Sequence, residues 1–207
     1  MDTCCSKQQV ASDGRYPRVL AAALVLNALM FAVEIVSGLG AGSSSLLADA
    51  ADFAGDAGNY ALSLGALALA PVWRSRAALL KGGAMATYGA AVIAVAAWHA
   101  LEGTRPEAST MGAIGALAMA VNLGVAGLLY RYRAGDADMR SVWLCTRNDV
   151  IGNVAVILAA AGVFGFGSGW PDYVVAAIMA ALAITAAVSV VRHARREILD
   201  ASCASAS

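Results

Sequence analysis

Cysteine and charge are both scarce in this sequence of 207 residues, and each scarcity excludes a class of protein. The four cysteines, three of them near the chain ends, do not form the framework of a small disulfide-bonded domain. Charged residues make up 14% of the chain and hydrophobic residues 60%, whereas a soluble domain is roughly 45–50% apolar. We therefore expect a membrane protein, with the lipid bilayer as its surroundings and no nucleic-acid partner.

Apolar runs long enough to cross a bilayer recur six times along the chain. A helix needs about 20 apolar residues to cross the hydrocarbon core. The first run is not followed by a cleavage site and a soluble body, so we interpret it as a retained span and not as a signal peptide. The sequence thus predicts an all-α membrane protein with spans at 18–39, 46–70, 78–101, 110–129, 141–166 and 172–191.

Basic residues lie mostly on one side of this six-span arrangement. By the positive-inside rule that side is cytoplasmic, together with the predicted tails over 1–17 and 192–207 that flank the six-helix membrane domain over 18–191. A short chain with this topology and no leader fits a prokaryotic inner membrane. The basic residues on that side are Lys7, Arg15, Arg18, Arg74, Arg76, Lys81, Arg131, Arg133, Arg140, Arg192, Arg195 and Arg196.

Three aspartates, Asp49, Asp52 and Asp56, lie three and four residues apart in the second span, among Ala, Gly, Leu and Phe. That spacing places them on one face of a helix, and Asn59 and Ser63 continue the same face. An ionised carboxylate costs at least about 2.5 kcal/mol to bury in a bilayer, so an acid there indicates function. We predict that this face points to protein or water and away from lipid.

A second polar face occurs in the fifth span, where Cys145, Asp149 and Asn153 recur every four residues. Side chains one helical turn apart lie roughly 5–6 Å from each other, so a Cys and an Asp at this spacing can bind one ion. The second and fifth spans run in opposite directions, and residue counting brings Asp56 and Asp149 to similar depths. Asp52, Asp56, Cys145 and Asp149 would together form a four-coordinate site for Zn²⁺ or a softer divalent ion.

The same residues allow a purely structural interpretation. The acids could pair with one another, with Arg147 and with nearby amides, and so hold the helices together. Such polar contacts contribute only about 0.6 kcal/mol on average, too little to offset the burial of several carboxylates. Glu34 of the first span either lines the ion path or pairs with a loop group. Glu34, Asp49, Asn59 and Asn153 are candidates for supporting the ligands or lining the ion path. We expect Arg147 to anchor its helix at the cytoplasmic surface of the membrane.

Several of these segments resemble a known family. The run Glu34-Ile35-Val36-Ser37-Gly38, the run Ser45-Leu46-Leu47-Ala48-Asp49-Ala50 and the spacing Asp52-x-x-x-Asp56 are similar to the first two helices of the cation diffusion facilitator family of metal transporters. The region around Asp149 and the segment Gly169-Trp170-Pro171-Asp172 are similar to its fifth and sixth helices. The resemblance covers the whole membrane part of the chain.

The resemblance implies a six-helix homodimeric transporter that exports Zn²⁺ or a related divalent ion from the cytosol in exchange for protons. It implies no enzymatic activity and no organic cofactor, since the metal ion is the transported substrate. Members bind the ion through two residues of helix two and two of helix five, here Asp52, Asp56, Cys145 and Asp149. Alternating access would carry the ion across, with metal and protons competing for the same carboxylates.

The chain also departs from the family pattern. Position 52 is Asp where many members have His, Cys145 replaces His or Asp, helices four and five are not joined by a His-rich loop, and we expect no soluble C-terminal domain. One alternative is a membrane protein that senses or scaffolds metal without transporting it. A thiol oxidoreductase is another, but that chemistry needs two cysteines able to meet, and only Cys145 lies within a span.

Overall fold

Six α-helices form the part of the chain that the structure describes. It is a computed structural model that describes residues 15–65, 71–132 and 137–204, without the side chains of residues 71–72, 74, 137–148, 197 and 200–204. Cys4 and Cys5, and the side chains of Cys145, Arg147 and Cys203, lie outside the described residues. The helices are α1 (Tyr16–Ala41), α2 (Ser44–Gly65), α3 (Pro71–Glu102), α4 (Ala108–Leu129), α5 (Ala137–Phe166) and α6 (Trp170–Ala204), with a 3₁₀ turn over Tyr130–Tyr132.

The predicted all-α class is confirmed, and the described residues contain no strand. Each predicted span coincides with one helix, although the second prediction extends into residues 66–70, which lie outside the described ranges. α3 begins at Pro71, ahead of the predicted start at residue 78, because Pro is favoured in the first turn of a helix. α6 continues to Ala204, so most of the tail predicted over 192–207 is helical. Its assignment to the cytoplasm stays a prediction.

α2, whose described residues contain no stretch apolar enough to count as a membrane span, occupies the centre of the bundle. The other five helices are long and apolar enough to cross a membrane. α2 contacts every one of them, and all its residues from Ser44 to Ala51 are buried. The most extensive packing joins α3 to α6, α1 to α2 and α4 to α5. Large apolar side chains such as Leu29, Ile151 and Ile178 are exposed on the outer helices, where lipid would surround them.

Three helices end in glycine at the same end of the bundle. α1, α3 and α5 are followed by Gly42, Gly103 and Gly167, with φ angles of 62°, 69° and 63°. This left-handed conformation favours glycine and lets the following amides bond back to the last turn. After α1, for example, Ser43 N donates to Gly38 O at 2.9 Å. We call the end that carries these three turns the α1–α2 end, and the opposite end the termini end.

Asp172 of α6 caps the N-terminus of α2. Its carboxylate accepts hydrogen bonds from Ser43 Oγ at 2.7 Å, Ser44 N at 2.7 Å and Ser45 N at 2.9 Å, and the residue is fully buried. Ser43 Oγ in turn accepts from Leu46 N at 3.2 Å, as an N-cap serine does. The negative charge also faces the positive end of the helix dipole. A residue of the last helix therefore fixes the start of the central one.

We expect Asp172→Ala to destabilise the protein by about 3 kcal/mol, because two amides and a hydroxyl of α2 would lose a charged acceptor while buried. The measurement is the midpoint of thermal unfolding of the purified protein in detergent, which should fall by several degrees. Glu102→Ala removes an exposed acid at the same end and should leave the midpoint unchanged. An unchanged midpoint for Asp172→Ala would show that the cap does not stabilise α2.

Candidate metal site

The aspartates of α2 lie inside the protein together with Glu34 of α1. Glu34 and Asp49 are 0% and 1% exposed, Asp56 is buried and Asp52 is partly exposed. The three aspartates share one helical face because their spacing is close to one helical turn. Five apolar helices surround α2, so this face points into the bundle.

Asp149 of α5 meets Asp56 of α2. Their carboxyl groups approach closely enough to share a proton. The Tyr60 hydroxyl donates a hydrogen bond to Asp56 Oδ2 at 2.9 Å. Asp149 Oδ2 is buried and has no hydrogen-bond partner among the described residues. Two antiparallel helices thus bring a pair of carboxyls together and leave one of their oxygens unsatisfied.

A second pair of carboxyls lies nearer the α1–α2 end. Glu34 faces Asp49, and not a loop group, and neither oxygen of Glu34 has a hydrogen-bond partner in the described part of the chain. Asp52 lies between the two pairs and experiences the charges of Asp49 and Asp56. We call these five acids the acid column: Glu34, Asp49, Asp52, Asp56 and Asp149.

Gly152 of α5 leaves space beside the acid column. A Cβ atom at this position would lie 3.8 Å from Asp52 Oδ2, 3.9 Å from Asp49 Oδ1 and 3.4 Å from Met179 Cε. The next residue, Asn153, is fully buried, and none of its side-chain polar atoms has a partner within the described ranges. α5 therefore leaves room at Gly152, which has no side chain, and places at Asn153 a buried amide without hydrogen-bond partners in the described part of the chain.

The predicted ligands are only partly assembled in this structure. Asp56 and Asp149 are in contact, and Asp52 lies one turn away on α2. The backbone of Cys145 lies in α5, one turn from Asp149 toward the termini end, but its side chain is outside the described residues. Among the side chains that are described, no group of three or more His, Cys, Asp or Glu is arranged to hold a metal ion. The observed arrangement is a chain of carboxyl pairs and not a closed cage.

Sequence reasoning missed three residues that contact the acid column or its neighbours. Tyr60 follows Asp56 by four positions, so helical spacing could have indicated it. Gly152 could have been found because it lies between Asp149 and Asn153, the two polar residues of the fifth span that recur one turn apart. Lys81 of α3 donates a hydrogen bond to Asn59, and no sequence signal relates these two residues.

Most of the chain matches one family of membrane proteins. The model of the cation efflux transmembrane domain covers residues 20–199. The chain belongs to this family. It is therefore an integral membrane protein of a family that transports metal cations, and its resemblance to the cation diffusion facilitators is confirmed. A comparison with curated proteins finds no match.

We expect Gly152→Ala to preserve the fold but to weaken Zn²⁺ binding several-fold. The added methyl would make ordinary contacts of 3.4–3.9 Å, yet it would cover oxygens of Asp49 and Asp52. Isothermal titration and thermal unfolding of the same preparation measure both effects. Gly124→Ala of α4, which has open space around it, is the matched control. Undiminished Zn²⁺ affinity in Gly152→Ala would show that the ion does not use this space.

Proposed function

We propose that this protein exports Zn²⁺, or a related divalent ion such as Cd²⁺ or Co²⁺, from the cytosol by proton antiport. The contact between Asp56 and Asp149 is the observation that supports the proposal most directly. Two like charges in a low-dielectric environment repel, so the pair needs either a proton or a cation between its oxygens. A metal ion that binds there releases the proton. One pair of carboxyls can therefore serve both ions in turn.

We propose Asp52, Asp56, Cys145 and Asp149 as the ligands of the transported ion. Each helix would supply two donors one turn apart, α2 through its aspartates and α5 through Cys145 and Asp149. Tetrahedral Zn²⁺ sites hold carboxylate oxygens at about 2.0–2.2 Å and thiolate sulfurs at about 2.3 Å. The oxygens of Asp149 and Asp56 are near each other already, so binding requires Asp52 and Cys145 to close around them. The residues proposed to support these ligands or line the path are Glu34, Asp49, Asn59 and Asn153.

The α1–α2 end of the bundle is closed by hydrogen bonds. Asp172 holds the start of α2, Glu107 N donates to Ala41 O at 3.0 Å, and the Tyr173 hydroxyl donates to Thr104 O. We assign this end to the outside, because the basic residues gather at the termini end. In the proposed cycle this conformation takes up the ion from the cytosol, and rearrangement of the helices then opens the outer end.

The proposed assembly is a homodimer in a prokaryotic inner membrane, with both chain termini in the cytoplasm. Family resemblance supports the dimer, and the exposed apolar side chains of α1, α5 and α6 offer surface to lipid and to a second copy. A metal sensor or scaffold would use the same ligands without moving the ion. Transport into sealed vesicles therefore separates the two functions.

Asp56→Asn and Asp149→Asn should each abolish Zn²⁺ transport in liposomes under an imposed proton gradient, because an amide neither binds Zn²⁺ as strongly nor exchanges the proton. A Zn²⁺-sensitive dye inside the vesicles reports the flux. Glu102→Gln, an exposed acid outside the acid column, should transport at the wild-type rate. Normal flux in both Asn variants would reject the site. If the wild type binds Zn²⁺ without any flux, the sensor function is favoured.

Cys145→Asp should shift ion preference away from Cd²⁺ and toward Zn²⁺ or Mn²⁺, because a hard oxygen donor replaces a soft sulfur. Parallel flux measurements with the three ions give the ratio directly. Cys203→Asp, a change near the C-terminal end of the sequence, is the matched control and should leave the ratio unaltered. If Cys145→Asp retains the wild-type preference, then Cys145 does not bind the ion.

A further inference from the structure

Lys81 of α3 lies beside the proposed site without being one of its ligands. Its ammonium group donates a hydrogen bond to Asn59 Oδ1. The Asn59 side chain also faces Asp56, and the positive charge of Lys81 acts on that carboxyl. Lys81 belongs to a membrane-length apolar segment, Ser75–Glu102, where a charged side chain is costly and marks a functional position.

Two glycines of α2 allow α3 to bring Lys81 this close. A Cβ atom at Gly58 would lie 3.0 Å from Lys81 Cδ and 3.1 Å from Lys81 Cε, closer than side chains normally pack. One turn along α3, Met85 lies over Gly55 in the same way, with its Cε 2.9 Å from the position of a Cβ atom. The stem of Lys81 therefore lies flat against α2 and carries the ammonium group to Asn59.

We infer that Lys81 is the counter-ion of the acid column whenever no metal ion is bound, and that its ammonium group stays beside Asp56 until a divalent ion takes its place. The inference rests on the proposed function, because it takes Asp56 as a ligand of the transported ion. A protonated lysine has three donors and no lone pair, so it cannot join the ligands. It can only compete with the metal for the negative charge of the acid column.

A counter-ion of this kind makes the site bind its cargo less tightly and release it faster. An entering metal ion must overcome repulsion from the ammonium group, which lowers affinity. When the metal ion leaves, the ammonium group again compensates the emptied carboxylates. Removing the charge should therefore tighten metal binding and slow turnover, whereas removing a ligand weakens binding. The opposite signs distinguish a counter-ion from a ligand.

The test compares Zn²⁺ dissociation constants of the full chain in detergent at one pH, by isothermal titration. Lys81→Met keeps the stem and removes the charge, and it should bind Zn²⁺ at least fivefold more tightly while transporting it more slowly. Lys81→Arg keeps the charge and should stay within twofold of the wild type. Gly58→Ala displaces the stem and should shift affinity in the same direction as Lys81→Met.

Arg76→Met is the matched control for net charge. Arg76 is an exposed cation of the same helix that lies over the Trp73 ring, 4.9 Å from its centroid, and its loss should leave Zn²⁺ affinity unchanged. If Arg76→Met gains as much Zn²⁺ affinity as Lys81→Met, the gain comes from the net charge of the protein and not from the position of Lys81. That result would overturn the inference.

The remaining outcomes separate the inference from the function on which it rests. Suppose that Lys81→Met binds Zn²⁺ as tightly as the wild type, or more weakly, while Asp56→Asn does not bind it. The proposed metal site is then retained, and the inference that Lys81 is its counter-ion is wrong. If the wild type does not bind Zn²⁺, or Asp56→Asn binds it normally, the proposed function fails and the inference with it. If Lys81→Met does not fold, the deciding measurement is the rise in unfolding temperature that Zn²⁺ causes in Gly58→Ala. The inference requires this rise to be larger than in the wild type, and an equal or smaller rise would contradict it.

Discussion

The cost of placing carboxylates in a bilayer determines how this bundle is arranged. Each acid of the acid column would be strongly unfavourable against lipid, so the helix that carries three of them must be enclosed. α2 accordingly contacts all five other helices, and those five supply the apolar length that spans the membrane. The position of α2 at the centre therefore follows from the acids that it carries. In the proposed cycle, a cation would replace protons in the space inside the bundle.

Charges from α3 and α6 act on α2 at two places, its first turn and its middle. Asp172 satisfies the first amides of α2, while Lys81 brings a positive charge beside Asp56. α3 and α6 pack on each other more extensively than on any other helix of the described part. A shift of this helix pair against α2 would therefore change the closure of the α1–α2 end and the charge at the proposed ion site together. In the proposed cycle that coupling prevents both ends from opening at once.

Much of this arrangement could be predicted from the sequence because it depends on local periodicity. Apolar runs indicated six helices, the spacing of the α2 aspartates placed them on one face, and residue counting brought Asp56 and Asp149 to one depth. The contacts of Lys81 and Asp172 could not be predicted, since they depend on how helices rotate about their axes, which hydropathy does not fix. The role of Cys145 stays a prediction, because its side chain lies outside the described residues.

The length of α6 turns a small change of angle into a large displacement. At 1.5 Å per residue, its 35 residues form a rod of about 52 Å, whereas the hydrocarbon core is about 30 Å thick. Asp172 attaches one end of the rod to α2. Because the rod is longer than the hydrocarbon core is thick, its other end, near Ala204, would project beyond the core. A tilt of about 10° about the attached end would move the far end by about 9 Å. Any tilt of α6 about Asp172 would therefore displace the segment near Ala204 far more than the residues that hold α2.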